Sequence, residues 1–320
     1  MSSLKASISP KRIVAAICAT TTQSFSQRRA MPVIQRGSVT PSDTPPKTRL
    51  RIMKGVVPLA GAAPFPHRRP RLHEEFRRMT SHQILDPHHH RHLHIRAGAD
   101  VALGDGVMAC LAVPAEFRRL ACEYPLLFQY DSAARSYSAL ALFGFEPGEN
   151  LYIEKGEWHA TCQPLAMAVQ PFLVGRAPDQ AGPAQVHIDM AHPRVLMDAD
   201  GAADAIAVFD SNGQPTPYLD RMSDMLGALD AGYRAAPDFM AALQRYDLLE
   251  PFSMDVTLNN GASHRMVGYH LIHEEKLRSL EPGAVHELHT AGYLEPIFMA
   301  LASLGNLAKL VRRKNQRRND

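Results

Sequence analysis

Phe252, Met254, Val256 and Leu258 alternate with Ser253, Asp255 and Thr257. That two-residue period puts one set on each face and predicts a half-buried strand. Asn260-Gly261 follows, a pair suited to a tight hairpin, and Met266–Ile272 returns antiparallel. Shorter apolar runs predict further strands at Val107–Val113, Leu126–Gln129, Tyr137–Phe145, Leu151–Ile153, Pro171–Val174, Val186–Met190 and Ile206–Phe209. Polar breaks bound them: the Asp131–Ser136 loop, a Lys155-Gly156 turn before Trp158, and Asp210-Ser211-Asn212-Gly213.

Helical spacing takes over elsewhere. Pro114 suits a first helical position, Phe117, Leu120 and Ala121 repeat at the helical period, and Pro125 stops the run. Thr216 caps and Pro217 opens a helix whose stripe is Leu219, Met222, Leu226 and Leu229. A second helix is predicted to begin at Pro237, with Phe239, Met240, Leu243 and Tyr246 as its apolar positions. The chain closes in helices at Glu274–Leu280, Pro282–Ala291 and Leu294 to about Lys314. Ile297, Leu301, Leu304, Ala308 and Val311 share one face of the last, where Gly305 costs about 1 kcal/mol against alanine. The predicted fold is α+β: a largely antiparallel sheet of short strands packed by helices, with a helical C-terminal third.

Charge divides the chain. Residues 1–78 carry 15 Lys/Arg against 3 Asp/Glu, whereas residues 79–320 carry 20 against 29. The overall charge of +3 therefore averages two unlike parts. An acidic main portion argues against nucleic acid as a partner. Residues 1–78 are also rich in Ser, Thr and Pro and lack periodicity, which predicts a disordered basic extension or a start codon placed too far upstream. Residues 79–320, opening at Met79, are expected to form a single domain. A second basic cluster, Lys309, Arg312, Arg313, Lys314, Arg317 and Arg318, reads as a solvated helix end or as a peripheral contact with a membrane surface. No run of 18 apolar residues occurs, and Ile297–Gly305 is about half the length a membrane span needs. Cys18, Cys110, Cys122 and Cys162 form no CxxC pair, which suits a reducing compartment and a cytoplasmic protein, with envelope association as the alternative.

Candidate chemistry is sparse. His187-Ile188-Asp189 places two ligand types on one face of a strand, and His270 from the later strand could complete a His-x-Asp…His facial site for non-haem iron. That would make the chain an oxygenase-like enzyme. The competing reading is of strand-surface residues with no cofactor. The tract His88-His89-His90-Arg91-His92-Leu93-His94 reads as a polar connection, because a flexible tract lacks fixed ligand geometry. His286 and His289 stand three apart, not the four of a zinc-protease helix, and read as a surface face. No GxSxG elbow and no Gly-rich dinucleotide or phosphate loop is present.

The order PAEFRRLACEYPLLF, ALFGFEPGENLYI, VHIDMAHPRV, GQPTPYL, LLEPF, HEEKL and SLGNLAKLVRRKN, over about Met79 to Asn315, resembles the SapC family of bacterial proteins. The resemblance implies association with surface-layer export, or with systems built around TonB-dependent receptors, halogenase-like flavoproteins and cupin-like proteins. It implies no catalytic residues. The expected function is a soluble accessory or binding protein with protein partners in one of those systems.

Overall fold

A computed structural model describes residues 49–54, 81–176, 184–198 and 202–317. In chain order its strands are β1 (Arg49–Lys54), β2 (His82–Ile84), β3 (His94–Arg96), β4 (Ala109–Leu111), β5 (Leu126–Asp131), β6 (Ser136–Leu142) and β7 (Ile153–Glu154). Then come β8 (Glu157–Trp158), β9 (Phe172–Gly175), β10 (Gln185–Asp189), β11 (Val195–Leu196), β12 (Ala205–Ala207), β13 (Leu249–Thr257) and β14 (Ser263–Ile272). The α-helices are α1 (Phe117–Leu120), α2 (Leu165–Ala168), α3 (Pro217–Arg245), α4 (Glu274–Arg278), α5 (Pro282–Thr290), α6 (Leu294–Ser303) and α7 (Asn306–Arg317). Single 3-10 turns sit at Val101–Leu103 and Pro114–Glu116.

The main sheet has the order β1-β13-β14-β5-β6-β4, and every neighbouring pair is antiparallel. Its centre is the hairpin expected from the alternating pattern. Gly261 takes φ 80° in the turn, and the inward residues Phe252, Met254, Val256 and Leu258 are buried. A bulge between Phe252 and Met254 interrupts the register, with Gly268 at φ 87° in the facing strand. Two three-stranded sheets, β2-β10-β9 and β11-β3-β12, and the small β7-β8 pair complete the strands. The α+β reading therefore holds, including the helical C-terminal stretch.

Two apolar clusters form the interior. The larger joins the main sheet to α5, α6 and α7 through Leu288, Ile297, Leu307 and Leu310. The smaller gathers Leu93, Ile95, Phe172, Ile188 and Val208 from the minor sheets. α3 feeds both: Leu219, Met222, Leu226 and Leu229 enter the smaller cluster, and Phe239, Met240 and Leu243 the larger. Between these stretches Gly232 packs on Val113, where a Cβ would lie 2.6 Å from a valine methyl carbon.

Three expectations need correction. The two helices predicted around Pro237 are one continuous 29-residue helix with Pro237 inside it. Proline forfeits one backbone hydrogen bond, but packing anchors the helix on both sides of it. The final helix is two, because the chain breaks between Ser303 and Asn306, around Gly305. One stretch of residues 1–78, read above as a disordered basic extension or a start placed too far upstream, is a strand: β1 pairs with β13 along its full length. The remainder of residues 1–78 lies outside the described residues.

Candidate functional site

The sequence-predicted iron ligands do not converge. His187 and Asp189 lie in β10 of a minor sheet, whereas His270 lies in β14 of the main sheet. Among the described residues no group of three His, Cys, Asp or Glu side chains is placed to hold a metal ion. Each residue has other contacts. Asp189 Oδ1 accepts hydrogen bonds from the backbone N–H groups of Ser81 at 2.9 Å and Ala191 at 3.0 Å, which fixes the turn leaving β10. The His187 ring lies over Gly175, where a Cβ would come within 2.0 Å of Nε2. Burial, with His82 nearby, lowers its pKa. His270 packs edge-on against Tyr137 at 4.9 Å between ring centroids, and burial lowers its pKa too. The residues present do not fit the iron site.

What the turn after β10 does assemble is a buried polar hub. Arg194 is 7% exposed and donates to the carbonyls of Arg96 at 3.0 Å and Gly98 at 2.9 Å. Its other terminal nitrogen pairs with Asp105, which is fully buried. Asp105 Oδ2 also accepts from Asp100 N at 2.9 Å, and the Asp105 carbonyl accepts from Asn150 Nδ2 at 3.0 Å. The Asn150 side-chain oxygen takes the Tyr152 N–H at 2.9 Å. One guanidinium thus ties the end of β3, the Val101–Leu103 turn, the FEPGEN loop and the β10 turn together. Beside it, His192 Nδ1 accepts from Arg194 N at 3.2 Å, and Nε2 faces Gln170 Oε1 at 3.4 Å. That pattern assigns the neutral ring with its proton on Nε2.

Burial first, and the Arg194 charge second, push the His192 pKa from 6.5 down to about 4. The sign follows from linkage. Between those values the unfolded chain takes up the proton first, so stability is whole above about pH 6.5 and falls as pH drops toward 4. The loss is on the order of 2 kcal/mol, after solvent screening is allowed for. Urea unfolding of His192→Gln should be flatter over that window than unfolding of the unsubstituted chain. Parallel curves would remove His192 as the cause.

The other sequence candidates are structural contacts. His90 is buried, with Nε2 3.1 Å from Gln83 Oε1, and the neighbouring turn is held by His88 N donating to Asp86 at 2.9 Å. Trp158 donates to Tyr124 Oη at 2.7 Å and meets Phe143 edge-on at 5.2 Å. Glu116 accepts from Val113 N and Leu165 N, and burial raises its pKa. His286 and His289 are exposed on α5, as expected of a surface face.

The basic C-terminal segment turns inward in part, with Lys314 buried and Arg313 half-buried while Lys309, Arg312 and Arg317 stay exposed. Lys314 is 5% exposed and pairs with Glu149 and, at 3.2 Å, with Glu146. Arg313 lies 4.5 Å from the Tyr152 ring centroid and donates to the His159 carbonyl. Arg317 donates to Asn150 O at 2.7 Å and Lys309 to Cys122 O at 3.3 Å. Arg318 lies outside the described residues. Lys314→Met should cost about 2 kcal/mol, because Glu149 keeps its burial and loses its cation, while the half-exposed Glu146 loses less. A urea midpoint unchanged in that variant would show the pairing to be worth nothing. The combined run Leu294–Arg317 is long and apolar enough to cross a membrane by length and composition. Here it is interrupted around Gly305, and Ile297, Ala300, Leu307 and Leu310 are core residues.

A family model described as SapC matches residues 85–310. The chain belongs to the SapC family. No curated protein and no solved structure matches it. The SapC match takes in the hub, the FEPGEN loop and the start of α7, and leaves β1 outside.

Within the SapC region two open clefts lie on the helices. A cleft of about 410 Å³ runs between the end of α3 and α4–α5, lined by Tyr246, Asp247, Lys276, Leu280 and Glu281. A second, of about 300 Å³, lies on the other side of Tyr246, lined by Asp238, Arg245, Glu287 and Tyr293. Tyr246 donates to Glu287, and Arg245 reaches the same carboxylate at 3.1 Å. Sequence reasoning missed both the hub and the clefts. The hub joins residues 45 and 89 positions apart, and the clefts arise from helix packing.

Proposed function

We propose that this SapC-family chain is a soluble accessory or binding protein acting in the cytoplasm. Its partners belong to surface-layer export or to a TonB-receptor-linked uptake and modification system. The observation that carries the binding reading is the pair of adjoining clefts sharing Tyr246. They are shallow and open, floored partly by apolar side chains and rimmed by both signs of charge, a composition suited to a protein segment. The system it serves rests on the family resemblance alone. Asp189 fixes the turn leaving β10, and His187 and His270 lie in different sheets, which supports binding over catalysis.

The test is fractionation of the native host followed by co-purification of the full chain, alongside Tyr246→Ala. The expected result is an envelope or receptor-linked protein that co-purifies with the unsubstituted chain and is depleted several-fold with the variant. Repeated recovery of no such partner overturns the proposal.

A further inference from the structure

β1 occupies the outer edge of β13 in full six-residue register, from Arg49 opposite Thr257 to Lys54 opposite Phe252. It lies upstream of the family-matched residues 85–310, with residues 55–80 between it and Ser81. β13 and its other neighbour, β14, both lie inside the match. A sheet edge presents a row of backbone donors and acceptors, and an extended chain of any origin can add to it. We propose that the outer edge of β13 is a strand-acceptor site for an extended, basic and alternately apolar segment of a partner protein, which β1 fills in cis. This rests on the reading of the chain as a binding protein and names the chemistry of one partner segment.

The side chains define what the edge accepts. Leu50 and Ile52 stand opposite Val256 and Met254, both fully buried, and Leu50 packs against the core. Lys54 sits 3.3 Å from both Glu250 and Glu274, and Arg51 stands opposite Asp255. The acceptor is therefore acidic at intervals that match basic positions on the incoming strand. The fit of β1 is incomplete. Ile52 stays 43% exposed. Ser253, opposite Met53, is 3% exposed, and its hydroxyl has no hydrogen-bond partner. An incoming strand with a hydrogen-bonding side chain at the Met53 position satisfies that hydroxyl, and so outcompetes β1.

The experiment uses the full chain. Fluorescein-labelled peptides RLRIMK and RLRIQK are titrated by anisotropy into the unsubstituted protein and into the L50D/I52D variant, in which β1 is unseated. The variant should bind RLRIMK at least tenfold more tightly than the unsubstituted chain, and RLRIQK more tightly still. Equal binding to both proteins, with the variant folded by circular dichroism, overturns the proposal. So does equal binding of a scrambled peptide. Hydrogen exchange on the unsubstituted chain gives a reading even if the variant does not fold. Excess RLRIQK should strip protection from Leu50–Lys54 amides while β13 stays protected, and unchanged β1 protection overturns the site. Peptide exchange without any co-purified partner would sink the broader functional reading and leave the acceptor site standing. Partner recovery without peptide exchange does the reverse.

Discussion

Arg194→Met lowers the unfolding free energy by about 3–5 kcal/mol, the range for removing one partner of a buried charge pair. The loss has two physical sources. Asp105 is fully buried and keeps its carboxylate without a cation, and the carbonyls of Arg96 and Gly98 lose their donors. In a fold of this size that corresponds to a fall of about 10 °C in Tm, measurable by calorimetry. Adding Asp105→Asn to Arg194→Met should recover part of the loss, because the stranded charge is removed. If the single variant melts within a degree or two of the unsubstituted chain, the hub is not what joins the β10 turn to the FEPGEN loop.

Phe117→Ala costs a similar amount, about 3–5 kcal/mol, through the cavity it leaves. Phe117 is fully buried, with ring contacts to Phe128 in β5 at 6.4 Å and to Phe239 in α3 at 6.1 Å. It is the point at which the short α1 helix, the main sheet and the long helix meet. Phe117→Leu keeps most of the volume and should cost less. Chemical denaturation of the pair checks this. Equal losses for Ala and Leu would mean that the ring contacts matter and the volume does not.

The strands and helices with a clear period were legible in the sequence. The β13–β14 hairpin follows from strict alternation around Asn260-Gly261, and the Pro217 helix from its opening proline and stripe, although the Thr216 hydroxyl donates to the carbonyls of Ala207 and Val208 and does not cap it. Expectation failed where tertiary packing outweighed a local signal. Pro237 is a strong helix breaker, yet residues on both sides are locked into cores, so the helix runs through it. β1 was hidden because the alternation in Arg-Leu-Arg-Ile-Met-Lys spans only Leu50 and Ile52 and sits in a basic stretch rich in Ser, Thr and Pro, and only β13 makes it a strand. The minor strands β2 and β3 are three residues long, too short to show a period. The site was less legible still. His187 and Asp189 carry ligand chemistry, but which sheet faces which is a property of topology, and His270 belongs to another sheet. Arg194 and Asp105 gave no cue of their own because an ion pair between distant residues leaves no local pattern.

The helix from Pro217 to Arg245 has a consequence for how the molecule can come apart. Its two ends are embedded in different apolar clusters, so neither cluster can open without dragging on the other. A protease nick or a truncation inside that helix damages both halves at once. Heat or denaturant should accordingly produce one shared transition in place of two independent ones.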